Sequence, residues 1–121
     1  MPGRFAVARL PPEAPLPPWA TAGALTSVTR TVDELSIVCD DDAVPSGVYA
    51  MRDFAALRVL GTIDFAVVGV LASMTRVLAE AGVSVFAFST FDTDYLLVRT
   101  NELDRAKKAL SSVAVLVDES Q

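Results

Sequence analysis

The chain of 121 residues contains no histidine and only one cysteine, Cys39. Histidine is the side chain that most often serves as general base and metal ligand near neutral pH, so its absence removes whole classes of chemistry. Ser/His/Asp and Cys/His nucleophile systems are excluded, and no ligand set remains for zinc or another transition metal. A hydrolase built on carboxylates alone would need two acids facing one another in a cleft with opposed pKa values, and nothing else in the sequence points that way. The expectation is a protein that is not an enzyme, with no catalytic residues, no metal and no cofactor. A lone cysteine cannot close an internal disulfide, so Cys39 reads as a small buried hydrophobe. Lysine is nearly absent as well: only Lys107 and Lys108 occur, and ten basic against fifteen acidic residues leave a net charge of −5. The clustered positive charge that a phosphate backbone demands is missing, and nucleic acid is not an expected partner. Apolar runs break before membrane-spanning length, and the start MPGRFAVARL has no signal-peptide core, so no membrane partner is expected and the cytoplasm is the default location.

Proline, in contrast, is present but confined, with six of the seven prolines in the first eighteen residues. The run Leu10 to Trp19 (LPPEAPLPPW) can be neither regular helix nor central strand, and it reads as a connector after a short strand at Phe5 to Leu10. Trp19 reads as the anchor of that connector. Ala24 to Thr31 and Leu35 to Cys39 are β-rich runs separated by Val32, Asp33 and Glu34, the pattern of a hairpin. Asp40, Asp41 and Asp42 end the second run, because adjacent like charges disfavour continuing the ladder. Consecutive acids do not converge on one ion as the alternating ligands of a calcium loop do, so this triplet reads as a solvated loop.

In the second half, Phe54 to Gly61 reads as a strand whose glycine permits a sharp exit. Ala66 to Ala81 follows as a helix, with Thr62 or Asp64 as N-cap and Gly82 as its left-handed stop. Gly69, Ser73, Arg76 and Glu80 fall on one narrow stripe of it. Val67, Val68, Val70, Leu71, Met74, Val77 and Leu78 cover the rest, a wide apolar face meant for burial. Val83 to Phe91 and Asp94 to Arg99 are strands joined by a tight turn at Asp92 and Thr93, and their hydrophobicity predicts central positions. Asn101 caps a second helix to Ser112, with Glu102 and Asp104 early and Lys107 and Lys108 late, as the helix dipole favours. Leu103, Ala106, Leu110 and Val113 form its apolar stripe, and Val113 to Val117 reads as a last strand.

Strand, helix, strand, strand, helix, strand is the βαββαβ order of a ferredoxin-like α+β sandwich. The first half carries a fainter version of the same plan. Phe5-Ala-Val-Ala-Arg-Leu parallels Phe54-Ala-Ala-Leu-Arg-Val-Leu, and Glu34-Leu-Ser-Ile-Val parallels Asp94-Tyr-Leu-Leu-Val. The chain therefore reads either as two fused halves, 1–52 degenerate and 53–121 complete, or as one unit with chance matches.

The stretches TRTVDELSIVC, LGTIDFAVVGVLASMTRVLAEAGVSVFAFSTFDTDYLLV and NELDRAKKAL resemble the ACT-domain family, most closely the branch related to CASTOR-type cytosolic arginine sensors and small bacterial ACT-domain proteins. The resemblance spans residues 27 to 113, and AGVSVFAFSTFDTDYLLV is its most specific part. It implies a regulatory module that binds an amino acid or similar small ligand at a junction between ACT units or across a homodimer. Carried over, the loop leading into the helix is Gly61-Thr62-Ile63-Asp64-Phe65, and the acidic position of the hairpin is Asp94.

Local chemistry is compatible with that implication without requiring it. A free amino acid needs an anion-binding feature beside a fixed anion. Helix N-terminal amides after Gly61 would supply the first and Asp94 the second, with hydroxyls from Ser89 and Thr90 on the same strand end. Gly61 and Asp64 are equally explained as turn and cap, Asp92 and Asp94 as turn residues, and Thr90 as a β former. The competing expectation is an ACT-like dimerisation or scaffold module without a ligand, serving an unidentified protein partner. A closed polar pocket at the Gly61 to Phe65 loop separates the two.

Overall fold

The computed structural model describes residues 1–59 and 69–113. The chain divides into two compact units, Gly3–Phe54 and Ala55–Gln121, the second taking in Met1–Pro2 as well.

In the N-terminal unit, Phe5–Leu10 forms β1, within the bounds its sequence predicts. β2 (Ser27–Arg30) and β3 (Leu35–Asp40) make the expected hairpin, with β2 shorter than the β-rich run from Ala24. Thr31 organises its turn: the Oγ1 accepts the amides of Asp33 and Glu34 at 3.1 Å each, while the Thr31 N–H donates to the Glu34 carbonyl at 2.8 Å. β1 pairs antiparallel with β3 on one side and with the start of β4 (Ala50–Arg58) on the other, giving the order β2-β3-β1-β4. The proline connector contains only a short 3₁₀ turn, Pro18–Thr21, since proline has neither the amide nor the torsional freedom for regular structure. Ala6, Ala8, Ala20, Leu35, Ile37, Cys39 and Val44 form the buried cluster here, and the half-buried Trp19 packs against it, which is the anchoring role expected of it.

β4 begins at Ala50, four residues before the strand predicted from Phe54. The reason is a bulge. Phe5 opposes Phe54 and Val7 opposes Met51, so two steps along β1 match three along β4. Asp53 absorbs the extra residue at φ 62, the one non-glycine positive φ among the described residues. Its amide donates to Asp41 Oδ2 at 2.8 Å and its carboxylate meets Arg4 at 3.0 Å. Arg52 reaches back from β4 to the Asp41 and Val44 carbonyls at 3.1 and 3.0 Å and to the Pro45 carbonyl at 3.0 Å. The acidic triplet is thus divided: Asp40 is the last residue of β3, paired with Phe5, and Asp41 and Asp42 enter a 3₁₀ turn, Asp41–Ala43, held in place by Asp41.

In the C-terminal unit, β4 neighbours β6 (Asp94–Arg99), which pairs antiparallel with β5 (Val85–Ser89), in the order β4-β6-β5. β6 holds the central place its composition predicts, with Leu96, Leu97 and Val98 buried. β5 does not: it stands last in the strand order, and its hydrophobicity goes instead into an aromatic ladder. Phe88 stacks on Tyr95 at 5.5 Å and meets Phe86 at 6.1 Å.

α1 is Val70–Glu80, with Gly69 as N-cap at φ 99, so Gly69 precedes the helix rather than lying on its face. The expected caps Thr62 and Asp64, and the apolar positions Val67 and Val68, lie outside the described residues. Gly82, at φ 76, is the left-handed stop expected of it. Leu71, Met74, Val77 and Leu78 pack over Leu96 and Val98, with Leu78 the fully buried member. α2 is Leu103–Leu110, shorter at both ends than predicted. Asn101 sits in a preceding 3₁₀ turn, Thr100–Glu102, and Glu102 takes the N-cap position. At the other end the Ser111 and Ser112 hydroxyls donate to the carbonyls of Lys108 and Ala109, at 2.6 and 2.9 Å, satisfying the last turn locally. Leu103, Ala106 and Leu110 join the buried cluster as predicted, whereas Val113 is exposed in the turn after α2. The rest of the predicted last strand lies outside the described residues.

Candidate functional site

Ser89 and Asp94 are directly opposed at the last bridged pair of the β5–β6 hairpin. Beyond them the chain reverses through Thr90, Phe91, Asp92 and Thr93. The Thr90 amide donates to the Thr93 carbonyl at 2.8 Å, and the Thr93 amide donates to Thr90 Oγ1 at 3.2 Å. The Thr90 hydroxyl itself donates to the Thr93 carbonyl at 3.3 Å. Thr90 is therefore committed to closing the turn, and Phe91 and Asp92 form its exposed tip, Phe91 at 99%.

Opposed residues of an antiparallel pair project to the same face, which brings Ser89 and Asp94 together. The Ser89 hydroxyl donates to Asp94 Oδ1. Asp94 is only half-buried, and Oδ2 has no partner among the described residues. Its main chain is fixed as well: the Val59 amide donates to the Asp94 carbonyl at 3.0 Å. Val59 follows the end of β4 and stands two residues before Gly61 in sequence. The structure thus ties the acidic residue to the strand end that leads toward the predicted loop. Gly61, Thr62, Ile63, Asp64 and Phe65 themselves lie outside the described residues.

Of the other carboxylates singled out in the sequence, Asp92 stays exposed at the tip and Asp41 is engaged by Arg52 and the Asp53 amide. Among the described residues no group of three acidic, cysteine or histidine side chains is arranged to hold a metal ion, and no helix is long and apolar enough to cross a membrane. Sequence reasoning passed over Arg9, Asp33 and Tyr49, which the N-terminal unit gathers around one groove. Tyr49, an aromatic after the small residues Pro45, Ser46, Gly47 and Val48, was the available signal.

Two helices with antiparallel strand pairs in the order β4-β6-β5 define a ferredoxin-like α+β module, and the sequence places it among known proteins. An ACT-domain family model matches residues 50–112. The chain belongs to the ACT-domain family, whose members are regulatory, small-molecule-binding modules. A second family model, described as an N-terminal domain, matches residues 3–47. The crystal structure of a protein from Agobacterium tumefaciens is similar at 34% identity and TM-score 0.89, covering 98% of this chain and 91% of its own. A Vibrio cholerae protein of unknown function, described as a possible transport protein, matches at 19% identity and TM-score 0.76, covering 95% and 87%. Aspartate kinase of Clostridium acetobutylicum, described as an allosteric enzyme, matches at 12% identity and TM-score 0.65, covering 91% of this chain and 32% of the kinase. At these last two identities the likeness is one of fold. No curated protein matches significantly.

Proposed function

We propose that this chain is a non-catalytic regulatory protein of the cytoplasm that senses an amino acid at the junction of a homodimer, with kinship to the CASTOR-type sensors. The single observation carrying the reading is Asp94. A carboxylate oriented by the Ser89 hydroxyl keeps one oxygen unpartnered among the described residues, beside the strand end that continues toward Gly61. Asp94 and Ser89 would hold the ligand's cationic group, and the Gly61 to Phe65 loop would receive its carboxylate through main-chain amides. Thr90 enters as the residue that fixes the hairpin end. The chain as a whole reads as a degenerate ACT-like half at 1–52 fused to an ACT domain at 53–121. The strand order supports this, since each half places its first strand beside its third and its third beside its second.

A thermal-shift screen of the purified chain against the twenty amino acids tests the reading. At about one hundred times its dissociation constant a ligand adds roughly 2.7 kcal/mol, a clear rise in Tm. Asp94→Asn keeps the shape and removes the charge. It should weaken binding about ten- to a hundredfold through loss of a charge-assisted hydrogen bond of roughly 1.5 to 3 kcal/mol, with apo Tm little changed. Unaltered affinity in this variant takes Asp94 out of the site. One observation favours the second reading, a dimerisation module without ligand. β5 stands last in the strand order and presents half-buried Phe86 and Phe88, features of an edge that pairs with another chain. Dimeric sedimentation together with no Tm shift for any amino acid would select it.

A further inference from the structure

The N-terminal unit contains an open groove of about 490 Å³ lined by Arg9, Leu10, Pro11, Pro12, Asp33 and Tyr49. Three segments of chain meet there: the end of β1 with the first prolines, the turn between β2 and β3, and the residue before β4. The walls are stiff. Proline rings form one side, and the Arg30 guanidinium donates to the Pro12 carbonyl behind them. The Arg9 amide donates to the Tyr49 carbonyl at 2.9 Å, fixing the other.

The polar groups at the rim are unevenly matched. Arg9 meets Glu34 through one nitrogen at 3.4 Å, and a guanidinium carries five N–H donors, so most of its capacity is uncommitted. The Asp33 carboxylate has no partner among the described residues. Tyr49 is 77% exposed, and its ring stands open toward solvent. An uncommitted carboxylate and an open aromatic face lining one groove suit a cationic side chain that pairs with the first or lies over the second. Donors on Arg9 suit main-chain carbonyls passing alongside, and proline and leucine side chains suit an alkyl stem. Small metabolites are held in sites that bury most of their surface, and this groove is open along its length. A chain of net charge −5 also draws basic partners toward it by its long-range field.

We propose that this groove is a docking site for an extended, basic segment of a partner protein. A lysine or arginine of that segment would lie over Tyr49 and against Asp33 while its backbone carbonyls accept from Arg9. The inference is independent of the ligand reading at Asp94.

Fluorescence anisotropy of the full chain with a labelled Ala-Pro peptide carrying one central arginine tests it, with citrulline in place of arginine as control. The arginine peptide should bind, and the citrulline peptide should bind several-fold more weakly. Asp33→Asn and Tyr49→Ala should each cost roughly two- to fivefold, the scale of exposed ion pairs and cation–π contacts. Tyr49→Phe, which keeps the ring, should retain affinity, as should Asp92→Asn, which removes a charge elsewhere on the surface. No binding of the arginine peptide overturns the proposal. So does binding that Asp33→Asn and Tyr49→Ala leave unchanged, which would mean attraction to overall charge, and so does equal binding by free arginine amide, which would mean a small-molecule site.

Discussion

The two units solve one packing problem with different covers. In each, the third strand lies between the first and the second, and one sheet face must be shielded from water. In the C-terminal unit α1 and α2 do this, over Leu96, Val98 and the half-buried Val85 and Leu57. In the N-terminal unit a proline connector does it, over Ala6, Ala8, Ile37 and Cys39. A helix stands off a sheet by the length of the side chains between them, whereas an irregular chain with one 3₁₀ turn has few side chains to offer. Small strand residues let it come close, and Trp19 fills the space that remains. Residue size on the strands thus follows from what the connector can form, and the connector is decided by its prolines.

The largest expected effect that probes this contrast is on the covers themselves. Leu78→Ala removes the fully buried side chain of α1 and should cost about 2–5 kcal/mol, read from the denaturation midpoint. Trp19→Ala removes a larger but half-buried side chain and should cost less. An equal or greater loss at Trp19 would mean that the irregular cover bears as much of the packing as the helix does.

Smaller effects are expected where each unit turns its chain. Gly23 has φ 120, and a methyl group there would stand 2.2 Å from Asp40 Oδ1. Gly82 has φ 76 with only Arg105 Nη1 nearby, at 4.0 Å. Gly82→Ala should therefore cost about 1 kcal/mol for the left-handed conformation alone. Gly23→Ala adds displacement of the Asp40 side chain to a strain of roughly 1–3 kcal/mol. Thermal melts of the two variants give the comparison, and a Gly82→Ala loss exceeding that of Gly23→Ala would reverse the ranking.

The smallest effect concerns the tightness of the proline cover. Burial pushes the Cys39 thiol up from its ordinary range, and the charges of Asp40 and Asp41 push it further. A thiol with a raised folded pKa contributes stability that is fully present below the unfolded value of roughly 8.5 and is lost as pH climbs through the folded value. Stability should fall as pH rises above the unfolded thiol value of roughly 8.5, and Cys39→Ala should flatten that fall. Alkylation of Cys39 in the native chain near neutral pH should be slow. Rapid labelling would show that the connector opens readily.

Much of this was legible because local chemistry and fold agree. Phe5 to Leu10 and Asp94 to Arg99 carry β-rich runs with clear stops, and Gly82 can do what few other residues can at a helix end. The Ser89–Asp94 pairing follows from hairpin register once the turn is placed. The position of β5 was not legible, because Phe86 and Phe88 look the same in sequence whether they face a core or stack along an edge. α2 ends early because Ser111 and Ser112 satisfy its carbonyls themselves, an alternative that helix periodicity does not see. For the candidate site, Asp94 was readable as an acidic turn position, but its bond to Val59 depends on how β4 and β6 lie together.

The left-handed Asp53 has a consequence for how β4 presents itself. A strand alternates its side chains with period two, so one added residue shifts the phase of everything after it. Met51 and Phe54, three apart in sequence, point the same way because Asp53 inserts that shift. β4 is in effect two strands of opposite parity spliced at one residue, and a single alternation pattern run through AMRDFAALR fails at the splice. Deleting Asp53 would restore uniform alternation and leave Phe54 on the face of Met51, whereas straightening the bulge with Asp53 retained would turn Phe54 to the opposite side of the sheet. At this point the backbone conformation of one residue holds the pattern of faces.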